Sequence, residues 1–127
     1  MASDILIVDD EDSVRQLLKM MLRPFDVNFR EASDGLQGLD EVRRDKPSLI
    51  ILDVMMPRMD GLTMLKTLRA DPNTEAIPVL LFTAFRLAPE QVAELKLSPS
   101  MIMSKGTLSV RDIRSKVGGV LQIPNPV

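Results

Sequence analysis

Five side chains suited to phosphoryl and metal chemistry stand just after short apolar runs. Asp9 and Asp10 follow Ile5 to Val8, Asp53 follows Leu49 to Leu52, Thr83 follows Val79 to Phe82, and Lys105 follows Met101 to Met103. Each alone has a plain structural reading. Asp9 and Asp10, continued by Glu11 and Asp12, suit the positive end of a helix; Asp53 suits a solvated turn before Pro57, Thr83 a strand-end hydroxyl, and Lys105 a surface lysine. Gathered at one place they mean more. Three carboxylates within a few ångströms repel one another unless a divalent cation lies among them, so the set asks for Mg²⁺. A carboxylate that accepts a phosphoryl group needs charge neutralised on the transferring oxygens, which a metal, an ammonium and a hydroxyl supply together. Asp53 is then the candidate nucleophile.

The elements that must gather these residues are legible in the apolar periodicity. The runs Ile5 to Val8, Val27 to Phe29, Leu49 to Leu52, Val79 to Phe82 and Met101 to Met103 read as strands of a parallel sheet. Between them Val14, Leu17, Leu18, Met21 and Leu22 repeat at i, i+3, i+4, i+7 and i+8, an amphipathic helix that Pro24 stops. Leu36, Leu39 and Val42 mark a second helix opened by Asp34-Gly35. Leu62, Leu65 and Leu68 mark a third, opened near Asp60-Gly61 and ended before Asp71-Pro72. A fourth runs from Ala88 to about Lys96 on Val92 and Leu95; a fifth rests on Val110, Ile113, Val117 and Leu121, against the helix-weakening Gly118-Gly119. Residues 122–127, with two prolines, read as a short C-terminal tail. Five strand-helix alternations predict a doubly wound α/β fold with helices on both sheet faces. Such sheets bind ligands beyond the carboxyl ends of their strands, where all five candidate side chains fall.

Composition bounds what remains. The 127 residues suit one domain of the usual ~100 to 150 residues. No stretch approaches the ~18 consecutive apolar residues of a membrane span, and the start resembles no secretory signal, so a cytoplasmic location is expected. A net charge of -2 argues against nucleic acid as a partner of this domain alone. Without Cys or His the chain can build no thiol or imidazole zinc site, no Cys nucleophile and no Ser-His-Asp relay. Any phosphohistidine must come from a partner.

The segments Ile7-Val8-Asp9-Asp10-Glu11, Leu52-Asp53-Val54-Met55-Met56-Pro57 with Asp60-Gly61, Phe82-Thr83-Ala84, and Lys105 together resemble the receiver domain of two-component response regulators, in family order and across essentially the whole chain. The resemblance implies a flavodoxin-like strand order 2-1-3-4-5, for which a member of this family is a standard example. It implies that Asp53 accepts a phosphoryl group from a histidine kinase or histidine phosphotransfer protein. Asp10, Asp53 and the Met55 backbone carbonyl would bind Mg²⁺ directly and Asp9 through water. Thr83 would hydrogen-bond a phosphoryl oxygen and Lys105 would pair with the phosphoryl group. The chain would catalyse its own aspartyl phosphorylation and dephosphorylation while acting mainly as a signalling switch or phosphorelay intermediate toward an unknown downstream protein. No output domain is visible, which suggests a stand-alone receiver.

Other folds with phosphate sites fit less well. A haloacid-dehalogenase-type phosphatase carries a second Asp two residues after its nucleophile, where this chain has Met55; a flavodoxin needs a Ser/Thr-rich loop after the first strand, and a dinucleotide-binding domain needs G-x-G-x-x-G there. The remaining competitor is a pseudo-receiver, the same fold acting as a protein-binding module without phosphotransfer. Three features depart from the family pattern: Gly106 replaces the usual Pro after the lysine, Ile102 stands where an aromatic residue is common, and Leu97-Ser98-Pro99-Ser100 lacks the usual turn. Gly106 predicts a trans bond after Lys105 and a less firmly placed ammonium; Ile102 offers no ring to swing in a rotamer switch. Met55 and Phe85, two residues after Asp53 and Thr83, predict slow self-dephosphorylation, since neither side chain accepts a strong hydrogen bond from the attacking water. Met55, Met56 and Met59 read as filling or as an adaptable docking rim.

Overall fold

The computed structural model describes residues 3–56, 59–84, 87–94, 101–107 and 109–123. Strands β1 (Ser3–Val8), β2 (Val27–Ala32), β3 (Leu49–Leu52), β4 (Val79–Thr83) and β5 (Ile102–Ser104) form one parallel sheet in the order β2-β1-β3-β4-β5. Helices α1 (Asp12–Leu22), α2 (Gly35–Arg44), α3 (Gly61–Ala70), α4 (Pro89–Glu94) and α5 (Val110–Leu121) alternate with them. The central strands are apolar without interruption because helices cover both their faces. Successive residues point to opposite faces, so Leu6, Val8, Ile50, Leu52 and Leu81 pack with residues of α2 and α3, while Ile5, Ile7, Ile51, Leu80 and Phe82 pack with those of α1 and α5. This is the doubly wound, flavodoxin-like architecture expected.

The helix starts follow side-chain chemistry. Asp34 accepts a hydrogen bond from the Gln37 amide at 2.9 Å and Asp60 one from the Thr63 amide at 2.8 Å, capping α2 and α3. Such caps each contribute about 1 kcal/mol. Helix α5 runs through Gly118-Gly119, since Ile113 and Val117 are fully buried and the Arg114 Nε donates to the Met21 carbonyl of α1 at 2.7 Å. Tertiary packing outweighs the glycine penalty. Leu17, Leu36 and Val110 lie at the edges of their helical stripes and are exposed instead of core-facing. The described part of α4 is Pro89–Glu94; Leu95 and Lys96, the segment Leu97 to Ser100, and the tail beyond Ile123 lie outside the described residues. Among the described residues no helix is long and apolar enough to cross a membrane.

Strand β2 reaches Ala32, three residues beyond the apolar run, because it is an edge strand whose register with β1 continues to the pair Val8 and Ala32. Its polar residues are used by neighbours: Glu31 accepts from Arg15 Nε at 3.0 Å and from Lys19 Nζ at 3.1 Å. Burial would raise the Glu31 carboxyl, but the hydrogen bonds from Lys19 and Arg15 prevail and hold it below the ordinary glutamate value of 4.5. A depressed folded-state value gives stability that is present above the unfolded value and lost as pH falls through the folded one. The stability gap between wild type and Glu31→Gln is therefore expected to be constant at neutral pH and to shrink below about pH 4.5, with a full size of roughly 1 kcal/mol or less for so solvent-accessible a pair. Urea unfolding of both proteins from pH 7 to pH 3 checks this.

Candidate functional site

The pairing of Val8 with Leu52 places the next residues, Asp9 and Asp53, side by side at the carboxyl edge of the sheet. Both backbones are held by the sheet's own ladder: the Asp9 amide donates to the Ala32 carbonyl at 3.1 Å and the Asp53 amide to the Val8 carbonyl at 3.0 Å. Both residues are buried, at 2% and 4% exposure, while Asp10 stands at the open rim. One carboxylate oxygen from each of Asp9, Asp10 and Asp53 lies within 4.8 Å of the others. This cluster could hold a metal ion. The oxygen-only donor set, in a chain without His or Cys, fits a hard divalent cation.

Lys105 lies between the two buried acids. Its Nζ is 2.8 Å from Asp9 Oδ2, 3.1 Å from Asp53 Oδ2 and 3.9 Å from Glu11 Oε1. Burial pushes the Asp9 carboxyl up, and the neighbouring Asp53 charge adds to this against the opposing hydrogen bonds from Lys105 and the Glu11 amide. Burial alone would lower the Lys105 ammonium, but its hydrogen bonds to Asp9 and Asp53 hold it above the ordinary lysine value. The ammonium therefore stays charged. The Lys105–Gly106 peptide is trans, as Gly106 predicts. The ammonium is paired with both carboxylates, and Lys105 itself opens a short 3-10 turn, Lys105–Thr107.

Thr83 closes β4 opposite Ser104, one residue before Lys105, and is buried. It borders a cleft of about 400 Å³ lined also by Ala84, Leu87, Val92 and Ile102. The aliphatic Ile102 thus sits beside Thr83 without a ring. Met55 donates its amide to Asp53 Oδ1 at a long 3.3 Å, while the residue is 61% exposed. It borders a second cleft, with Met56, Leu62 and Lys66. Phe85 and Pro57 lie outside the described residues.

Two contacts with the backbones of these acids escaped the sequence reading. Gly61 registers there as part of a helix opener and of the Asp60-Gly61 segment in the resemblance, with no contact assigned to it, yet its amide donates to the Val54 carbonyl at 2.9 Å and a Cβ at this position would overlap the Asp53 carbonyl. Any side chain here must push the Asp53 backbone away. Arg15 looks like a helix-surface residue, but its guanidinium reaches the Asp9 carbonyl at 2.6 Å. No local pattern signals either contact.

Removing the Lys105 charge leaves two buried acids facing each other without a counter-ion. Lys105→Met is expected to lower stability by about 2 kcal/mol in EDTA, below the ~3 to 5 of a fully buried broken pair because the site opens to solvent. Chemical denaturation measures it; a variant as stable as wild type would show that the ion pairs contribute nothing.

Residues 5–117 match the model of the response regulator receiver domain family. The chain is 35% identical over 122 residues to the alkaline phosphatase synthesis transcriptional regulatory protein PhoP of Bacillus subtilis, covering 96% of this chain and 50% of that one. It thus spans about half the length of that relative. Among solved structures, a putative response regulator from Chloroflexus aurantiacus superimposes with a TM-score of 0.84 at 27% identity, over 96% of this chain and 99% of that one. The chemotaxis protein CheY4 of Vibrio cholerae shares the fold, with a TM-score of 0.81 at 24% identity over 94% of this chain and 99% of that one.

Proposed function

The chain belongs to the response regulator receiver domains of two-component systems, and on that premise we propose that Asp53 is its phosphoacceptor. The donor is the phosphohistidine of a histidine kinase or phosphotransfer protein, since this chain has no histidine of its own. An Asp53 carboxylate oxygen forms the new O–P bond as the donor's P–N bond breaks, and the imidazole leaves with the electron pair of that bond. The observation that carries the reading is the buried Asp53 carboxylate held 3.1 Å from the Lys105 ammonium within a cluster of three acids.

Lys105 is already in place to pair with an incoming phosphoryl oxygen, and its firm positive charge favours the anionic transition state without a proton transfer. Thr83, at the end of the next strand, supplies a hydroxyl for another phosphoryl oxygen. Asp10, Asp53 and the Met55 carbonyl would hold Mg²⁺ directly, with Asp9 acting through water. The bound cation would neutralise charge on the transferring oxygens. Asp9 and Asp53 hold their positions because their amides belong to the sheet ladder, so the acceptor is preorganised before any donor docks. In this reading residues 1–127 act as a cytoplasmic receiver module that hands its signal to a downstream protein and does not itself bind nucleic acid.

Incubation with acetyl phosphate and Mg²⁺ is expected to add one phosphoryl group to the intact mass, and Asp53→Asn or EDTA to abolish the gain. Absence of any gain from small donors and from a cognate kinase would instead favour a phosphorylation-independent binding module.

A further inference from the structure

We propose that Arg15 is a positioning residue for the cation site, fixing the peptide that joins Asp9 to Asp10 and through it the directions of both carboxylates. The inference rests on the reading of the acidic cluster as a divalent-cation site. Arg15 lies in the first turns of α1 with its side chain only 14% exposed. Its three guanidinium nitrogens have separate partners: Nη1 donates to the Asp9 carbonyl at 2.6 Å, Nε to Glu31 Oε1 at 3.0 Å, and Nη2 to Asp12 Oδ1 at 3.0 Å. Glu31 is held in turn by Lys19 Nζ and by Gln16 Nε2, both at 3.1 Å. The guanidinium is therefore clamped on two carboxylates outside the site and presents its remaining edge to a carbonyl inside it.

This geometry has a consequence for the acids. A peptide unit is planar, so a fixed carbonyl direction at Asp9 also orients the Asp10 amide across the bond. On its other side Asp9 is held by the hydrogen bond that its amide donates to the Ala32 carbonyl at 3.1 Å, and its Oδ1 accepts the Glu11 amide at 2.9 Å. With both flanks fixed, the backbone from which the Asp9 and Asp10 side chains depart has little freedom. Glu31 and Asp12 hold the guanidinium on their own carboxylates, so it meets Asp9 at a backbone carbonyl and leaves the acidic cluster its charge. An arginine suits this task because its planar fork directs three separate nitrogens at three spread acceptors, whereas a lysine presents its donors from a single nitrogen.

The test uses the full chain, Mn²⁺ as the probe ion with free Mn²⁺ followed by EPR, and amide ¹H–¹⁵N spectra in EDTA. Arg15→Ala is expected to weaken Mn²⁺ binding about tenfold, as loss of an outer partner of a metal site typically does, and to shift the Asp10 amide resonance without metal. Arg15→Lys should recover only part of the affinity. Arg15→Gln replaces the alanine variant if that one does not fold. Arg30→Ala is the control for general destabilisation: Arg30 ties β2 to the Asp45 carbonyl at 2.8 Å and pairs with Glu41, far in contact terms from the three acids. It should lose stability and keep wild-type affinity. A folded Arg15 variant with wild-type affinity, or equal weakening by Arg30→Ala, overturns the inference. Wild-type Mn²⁺ binding that is insensitive to Asp53→Asn is a separate result, visible before any Arg15 variant is made, and overturns the cation reading together with the inference.

Discussion

Everything at the working edge of this protein answers to one electrostatic constraint: carboxylates at two adjacent strand ends, both buried, share a single ammonium. Lys105 bridges Asp9 and Asp53 at 2.8 and 3.1 Å, and the third acid, Asp10, stands beside them at the rim. One positive charge among three negative ones leaves the cluster with an excess of two. Such crowding disfavours the folded state unless it is compensated, so it persists only where the rest of the fold over-determines the positions. A cation is the natural complement of such a cluster, and in the proposed function that cation and Lys105 together would carry the charge of a phosphoryl group.

The sheet supplies the over-determination. Asp9 and Asp53 are one step beyond strands whose residues are buried on both faces, so neither can retreat from the other without breaking ladder hydrogen bonds at 3.0 and 3.1 Å. Gly61 brings the start of α3 against the Asp53 carbonyl, and Asp60 caps that helix, so the loop carrying Met55 departs and returns at fixed points. On the opposite flank Arg15 secures the Asp9 carbonyl from α1. The apolar bulk of the sheet provides the stability that the acidic edge reduces. The apolar interior thus carries an acidic edge at the carboxyl ends of its strands, where doubly wound sheets bind ligands.

Much of this was legible from local signals. The uninterrupted runs Ile5 to Val8 and Leu49 to Leu52 announced double-sided burial, and Asp34 and Asp60 announced helix starts that their cap hydrogen bonds bear out. The candidate acids were found because strand ends in such sheets form one edge. What stayed hidden depends on distant partners. Arg30 and Glu31 break the apolar pattern of β2, and its pairing with β1 carries the strand through them to Ala32. Nothing around Lys105 in the sequence signals its ion pairs, because the carboxylates it meets are 52 and 96 positions away along the chain. Gly61 and Arg15 carry no local mark of their contacts with the backbone of Asp53 and Asp9.

The central claim is that the acidic edge is a cation site whose charge excess the fold tolerates until the ion binds. Its most direct test is the unfolding free energy of wild type, measured by urea denaturation across a Mg²⁺ titration at constant ionic strength, beside that of Asp10→Asn. Binding to the folded state alone predicts that wild-type stability rises, once the site begins to fill, by about 1.4 kcal/mol per tenfold increase in Mg²⁺, with little or no rise for Asp10→Asn. Wild-type stability that stays flat across the titration, or that rises equally in both proteins, would contradict it.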